Sequence, residues 1–309
     1  MKILFLDQNK WIELARVHSG KVVSGPLYDA YQYFATALHD GKIIIPLTVA
    51  NIIETSKRND PVSRADVAQT QAVFSKGCVY RSRLTRLGVE IKNAVQIAFD
   101  YDPLMLPSNW VVVPNFIRAF EENDASAISI TELADNYTDS KDLYLDFILR
   151  QDDQVRRLAH VKYAAESKSL IERIENRRKL FSGYDKGMRK RAYAAKLFLD
   201  HQESIARALN TVGHTLKEME KLGPKAFVEF IENIPTLNVE LNLALARESQ
   251  TGSLNTNDLG DIENFYTAIP YADVIVAEKN FSALTAQTKL DTVYGLRLHT
   301  SLENVFPLQ

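Results

Sequence analysis

Residues 3–6, Ile-Leu-Phe-Leu, form a short unbroken apolar run that ends in Asp7-Gln8-Asn9. Such a run is the pattern of a strand buried on both faces, and Asp7 falls where that strand emerges. Trp11, Ile12, Leu14 and Ala15 then recur at helical spacing, and residues 27–38 do so again until His39-Asp40-Gly41 stops them. A second apolar run, Ile-Ile-Ile-Pro-Leu over 43–47, predicts another buried strand. Thr48 suits the N-cap of a following helix that turns Val49, Ile52 and Ile53 inward and carries Glu54.

From about 61 to 250 the pattern changes to long, charged, helix-periodic stretches with few β-branched runs. The paired prolines of 103–107 and the Val-Val-Val of 111–113 predict a loop and a short extended piece within them. In the last sixty residues short alternating elements return. A polar loop over 249–257 leads to a helix over 258–268, then to a third buried strand over 274–277 that ends at Glu278. A helix over 282–288 and an extended segment over 293–298 complete the series. Parallel strands need helical crossovers, so alternation at both ends predicts an α/β fold. Its parallel sheet is built from 1–60 and 251–309, with 61–250 as a large, mostly α-helical insertion.

Composition narrows the function classes. With 37 Lys and Arg against 39 Asp and Glu the formal net charge is -2, so a nucleic-acid partner must be met by a local basic patch. The single cysteine, Cys78, excludes an intramolecular disulfide and a cysteine-rich zinc site. No apolar stretch reaches membrane-spanning length, and the first apolar run is too short for a signal peptide. A cytoplasmic protein without membrane partners is the expectation.

The acidic residues carry the candidate chemistry. Open parallel sheets bind ligands beyond the carboxyl ends of their strands, where Asp7 and Glu278 fall. Glu54 lies on the helix after the second strand, Asp258 and Asp261 share one helix face, and Asp273 sits beside the third strand. Such a cluster is unfavourable unless a divalent cation neutralises it, and carboxylates suit Mg2+ or Mn2+. The six histidines show no metal-binding spacing. Bland alternatives stand beside each acid: Asp7 and Asp258 as helix caps, Glu54 as a solvated helix acid, Asp273 as a turn residue.

The segments Phe5-Leu6-Asp7-Gln8-Asn9, Pro46-Leu47-Thr48-Val49 through Glu54, Asn257-Asp258-Leu259-Gly260-Asp261, Pro270-Tyr271-Ala272-Asp273-Val274 and Ala277-Glu278-Lys279-Asn280-Phe281 together resemble PIN-like nucleases. By that resemblance Asp7, Glu54, Asp261 and Glu278 are catalytic metal ligands, with Asp258 and Asp273 as further ligands. The chain departs from the family pattern at Glu278 and Asn280, where aspartate is common. The resemblance covers about the first and last sixty residues and implies metal-dependent hydrolysis of phosphodiesters by an endonuclease, with single-stranded RNA the commonest substrate class and structured RNA or DNA as alternatives. Small bacterial relatives of such a fold serve as toxins or defence effectors, and the helical insertion leaves room for a regulatory protein partner or self-association.

The densest positive run is Arg173, Arg177, Arg178, Lys179, Lys186, Arg189, Lys190 and Arg191, with Phe181 and Tyr184 between its halves. Arg177, Arg178, Arg189 and Lys190 are the expected contacts to a nucleic-acid backbone; the alternative is a solvated face balanced by Glu172 and Glu175. Arg81, Arg83 and Arg86 form a smaller group. Two rival functions remain: a haloacid-dehalogenase-type phosphatase, which needs an acid where Asn9 stands, and a catalytically silent helical scaffold.

Overall fold

The computed structural model describes residues 1–127, 140–181, 183–248 and 264–305. The chain opens with β1 (Lys2–Leu6), α1 (Gln8–His18), α2 (Pro26–His39), β2 (Ile43–Ile44), α3 (Val49–Ser56) and α4 (Pro61–Ser75). There follow β3 (Val79–Tyr80), α5 (Arg83–Ala98), β4 (Val112–Val113), a short 3-10 turn (Phe116–Ala119) and α6 (Ser140–Arg150). The next elements are all helical: α7 (Asp153–Leu180), α8 (Lys186–Asp200), α9 (Gln202–Thr211), α10 (Leu216–Glu220), α11 (Gly223–Glu232) and α12 (Pro235–Glu248). The last part gives α13 (264–268), β5 (Val274–Val276), α14 (Lys279–Gln287), α15 (Leu290–Tyr294) and β6 (Arg297–His299).

The two chain ends build one parallel sheet in the order β2-β1-β5-β6. Side chains alternate across β1, so Leu4 and Leu6 pack on one face with Trp11 and Phe34, while Ile3 and Phe5 pack on the other with Phe265 and Phe281. Both faces are covered, which is why the strand sequences read as continuous apolar runs. Pro46 has no N–H to give a ladder, and β2 stops at Ile44, short of the expected 43–47. Pairing resumes at Leu47, whose N–H donates to Cys78 O at 3.0 Å and whose carbonyl accepts from Tyr80 N at 2.9 Å. This parallel bridge sets β3 beyond β2. At the other edge the expected extended segment 293–298 divides: Tyr294 ends α15, Gly295 takes a left-handed φ of 64° as its C-cap, and β6 starts at Arg297.

The expected boundary at residue 61 falls inside the sheet's own core. Val67, Ala68 and Phe74 of α4, Val79 of β3 and Tyr144 and Ile148 of α6 share a cluster with Leu4, Leu6 and Trp11. A separate cluster joins α5, α8, α9, α11 and α12 through residues such as Leu87, Ile91, Leu197, Leu209 and Ile231. Helix α12 belongs to both parts: Leu237 and Leu241 face the helical cluster, Val239 and Leu243 the sheet.

A buried ionic cluster lies at this seam. Arg86 of α5 donates to Arg81 O at 3.0 Å, Thr267 Oγ1 at 2.9 Å and Thr236 Oγ1 at 3.3 Å. Glu90, four residues on, accepts from Thr236 N at 2.8 Å, from Thr236 Oγ1 at 2.7 Å and from the Tyr271 hydroxyl at 2.6 Å. Burial pulls the Arg86 pKa down and the Glu90 charge opposes it. Tyr271 is held protonated, its pKa raised well above the ordinary value by burial and by Glu90. The same carboxylate thus serves the first turn of α12, a helix start that favours an anion, and the segment leading into β5.

Because β5 supplies the neighbour of β1, removing residues 264–309 should leave β1 as an edge strand apolar on both faces. The expected outcome is an insoluble or unfolded product, read by size-exclusion chromatography and circular dichroism. A cooperative melt of the truncated chain would contradict the shared sheet.

Candidate active site

The chain order reverses between β1 and β5: β2 follows β1 on one side, β6 follows β5 on the other. Ligands of open parallel sheets bind at such a switch point, outside the strands' carboxyl ends. Asp7 follows β1 directly, and its N–H extends the pairing by donating to Val276 O at 3.0 Å. Glu278 follows β5 after Ala277, as the N-cap of α14. Local sequence and sheet register therefore bring the two acids together.

Their surroundings differ. Asp7 is only 8% exposed, while Glu278 is open to solvent. The Asp7 carboxylate accepts the N–H of Gln8 at 2.8 Å and also a backbone N–H from Glu278. Burial raises its pKa above the ordinary carboxylate value; the Gln8 hydrogen bond opposes that rise, the Glu278 charge adds to it, and Lys10 opposes it. The Glu278 side chain accepts from the Asn9 amide. Neither acid acts as an ordinary cap, which would accept from the second or third helical N–H: Asp7 reaches only the first, and Glu278 makes no side-chain cap bond.

Behind Asp7 runs a buried polar chain that the sequence reading missed. The Thr48 hydroxyl bridges the side-chain amides of Asn51 and Asn264. Asn51 Nδ2 donates to Gln8 Oε1 at 3.4 Å, Gln8 Nε2 to Thr55 Oγ1 at 2.9 Å, and Thr55 Oγ1 to Gln71 Oε1 at 2.8 Å, where Tyr144 also bonds. Asn51, Thr55, Gln71, Tyr144 and Asn264 have no measurable exposure. Gln8 thereby ties the start of α1, one residue after Asp7, to α3. A signal existed in the sequence: Thr48, Asn51 and Thr55 recur at helical spacing on a helix read only for its apolar face.

No protein-family model matches the chain. No curated protein and no solved structure matches it either.

The other expected site residues divide. Glu54 is half-buried on α3, next to Thr55, the residue that Gln8 reaches. Among the described residues no group of three or more His, Cys, Asp or Glu stands close enough to hold a metal ion, so Asp7, Glu54 and Glu278 do not close into a ligand set by themselves. Asp258 and Asp261 lie outside the described residues. Asp273 must be removed from the set. Its carboxylate accepts Ile3 N at 2.7 Å, which fixes it at the amino end of β5. Four residues of β1 separate that point from Asp7, about 13 Å at strand rise.

The basic residues are also redistributed. Arg178 is committed to Glu175 at 2.9 Å and to the Arg247 carbonyl at 2.6 Å, near the end of α12. Lys190 pairs with Glu232 at 2.6 Å, and Arg177 lies over the Tyr193 ring, 5.5 Å from its centroid. Arg189 Nε donates to Tyr184 O at 2.7 Å. The four do not form one free basic surface. In the smaller group Arg86 is buried, Arg81 donates to Trp110 O at 2.9 Å and Arg83 pairs with Glu240 at 2.6 Å. Among the described residues no helix is long and apolar enough to cross a membrane.

Proposed function

We propose that this chain is a divalent-metal-dependent phosphodiester hydrolase, an endoribonuclease acting on single strands. One observation carries the reading: Asp7 and Glu278 lie together at the carboxyl ends of the two strands flanking the switch point, and neither is used as an ordinary helix cap. A buried carboxylate beside a second one is unfavourable alone and is relieved by a cation. Oxygen donors of this kind fit Mg2+ or Mn2+. Asp7 and Glu278 would hold the ion, with Glu54 and with Asp258 or Asp261 completing the set. Bound there, such an ion lowers the pKa of a water and offsets charge developing on the scissile phosphate.

The chain's own groups prepare this site. The N–H groups of Gln8 and Glu278 fix the Asp7 carboxylate, and the Asn9 amide fixes Glu278. The buried chain from Asn264 to Tyr144 holds α3, and with it Glu54, against the start of α1. Orienting partners of this kind set metal-ligand geometry. No covalent nucleophile is required.

Chelation tests the reading. Cleavage of a labelled single-stranded RNA should stop in EDTA and return with Mg2+ or Mn2+, and Mn2+ should raise the melting temperature of the wild type but not of Glu278→Gln. Cleavage that persists in EDTA would exclude a carboxylate-held metal.

A further inference from the structure

Where the helical part meets the sheet, a cleft of about 510 Å³ opens between α8, α12 and the end of α14. It lies away from the candidate active site: α14 starts just after its N-cap Glu278 and reaches the cleft at Gln287, nine residues of helical rise, or about 13 Å, later. Three cations line it, Lys186 and Arg189 from α8 and Lys289 after α14. Among the described residues none of the three has a carboxylate partner, although α8 elsewhere pairs its lysines, Lys190 with Glu232 and Lys196 with Asp200. Converging unpaired cations repel one another unless an anion joins them.

The remaining lining is selective. Asn242, which also lines the cleft, spends its Nδ2 on Asn238 and so keeps its Oδ1 as an acceptor, and the Gln287 amide offers both a donor and an acceptor. Leu245 supplies an apolar wall. The volume lies in the range of small-molecule sites, roughly 300–1,000 Å³. Phosphate-binding cations, amide edges and an apolar wall match one chemistry: an anionic phosphate attached to a planar, polar-edged ring.

We propose that this cleft binds a nucleotide phosphate, either of a free nucleotide or of one residue in a nucleic-acid strand. The site is separate from the carboxylate pair and replaces Arg178 and Lys190, which are committed elsewhere, with Lys186 and Lys289. Its occupant contacts both the sheet part, through Lys289 and Gln287, and the helical part, through α8 and α12.

The test is binding of ATP and of a short labelled oligouridylate, measured in EDTA on Asp7→Asn protein, so that nothing is cleaved and the metal plays no part. In that background the triple change Lys186→Gln, Arg189→Gln, Lys289→Asn should weaken binding at least about 10-fold and flatten its salt dependence. Asn suits position 289 because the backbone there is left-handed, with φ of 59°. Circular dichroism confirms the fold. A loss with ATP identifies a free nucleotide; a loss with the oligonucleotide alone identifies a strand. Absence of binding to either probe, or equal binding with and without the triple change, would overturn the proposal. Neither result touches the cleavage reading, which depends on Asp7 and metal.

Discussion

Glu90→Ala should destabilise the protein by about 3–5 kcal/mol, the cost of leaving the buried Arg86 charge uncompensated. Arg86 is 1% exposed and would keep its charge without the nearby Glu90 charge that offsets its burial. Thr236 N, at the start of α12, and the Tyr271 hydroxyl would lose their acceptor at the same time. An unmade buried hydrogen bond adds about 1–3 kcal/mol of desolvation cost, so the effect is expected at the high end. In a chain of this size the melting temperature should fall on the order of 10 °C. Adding Arg86→Met should recover part of that loss, because it removes the stranded charge. Urea unfolding of both single variants and the double variant reads the coupling directly. A Glu90→Ala loss below about 1 kcal/mol would mean that apolar packing of α12, not this cluster, holds the seam.

Asp7→Asn should abolish cleavage and leave the fold intact, with an activity loss on the order of 100-fold or more, since even a partner that merely orients a metal ligand is worth about 10–100-fold. Asn preserves shape and still accepts the Gln8 N–H, so a capping role alone would survive the change. Stability should move the other way. The folded pKa of Asp7 is raised by burial, so above the ordinary value of 3.8 the native state holds its proton more tightly than the unfolded chain does. That contribution is lost as pH rises through the folded pKa, and ionised Asp7 then opposes folding. Without metal, Asp7→Asn should melt higher than wild type at neutral pH, and the gain should shrink as pH falls towards 3.8.

The sheet was legible because its strands are buried on both faces and so leave unbroken apolar runs: 3–6, 43–45 and 274–277 all lie in it or at its edge. Asp7 and Glu278 could be placed because each follows such a run directly. Asp273 could not, since a residue beside a strand does not announce which end of the sheet it occupies; only the register with Ile3 settles that. The helical part hid more. Its charged periodicity does not distinguish Arg86, buried against Glu90, from Arg83, paired at the surface with Glu240. Nor does it separate Arg178, which is spent on a helix end, from Lys186, which has no carboxylate partner among the described residues. Likewise the helical periodicity that starts at 61 does not tell α4, whose apolar residues pack in the sheet's core against α1 and α6, from the helices of the separate cluster.

The central claim is that the carboxylate pair at the β1–β5 switch point performs metal-dependent hydrolysis. Its most direct test is hydrolysis of a labelled RNA single strand by purified wild type and Asp7→Asn, side by side in Mg2+ or Mn2+, with circular dichroism confirming both folds. Metal-dependent cleavage by wild type, lost in Asp7→Asn, is the predicted result. Undiminished cleavage by Asp7→Asn, or none by wild type under any of these conditions, would contradict it.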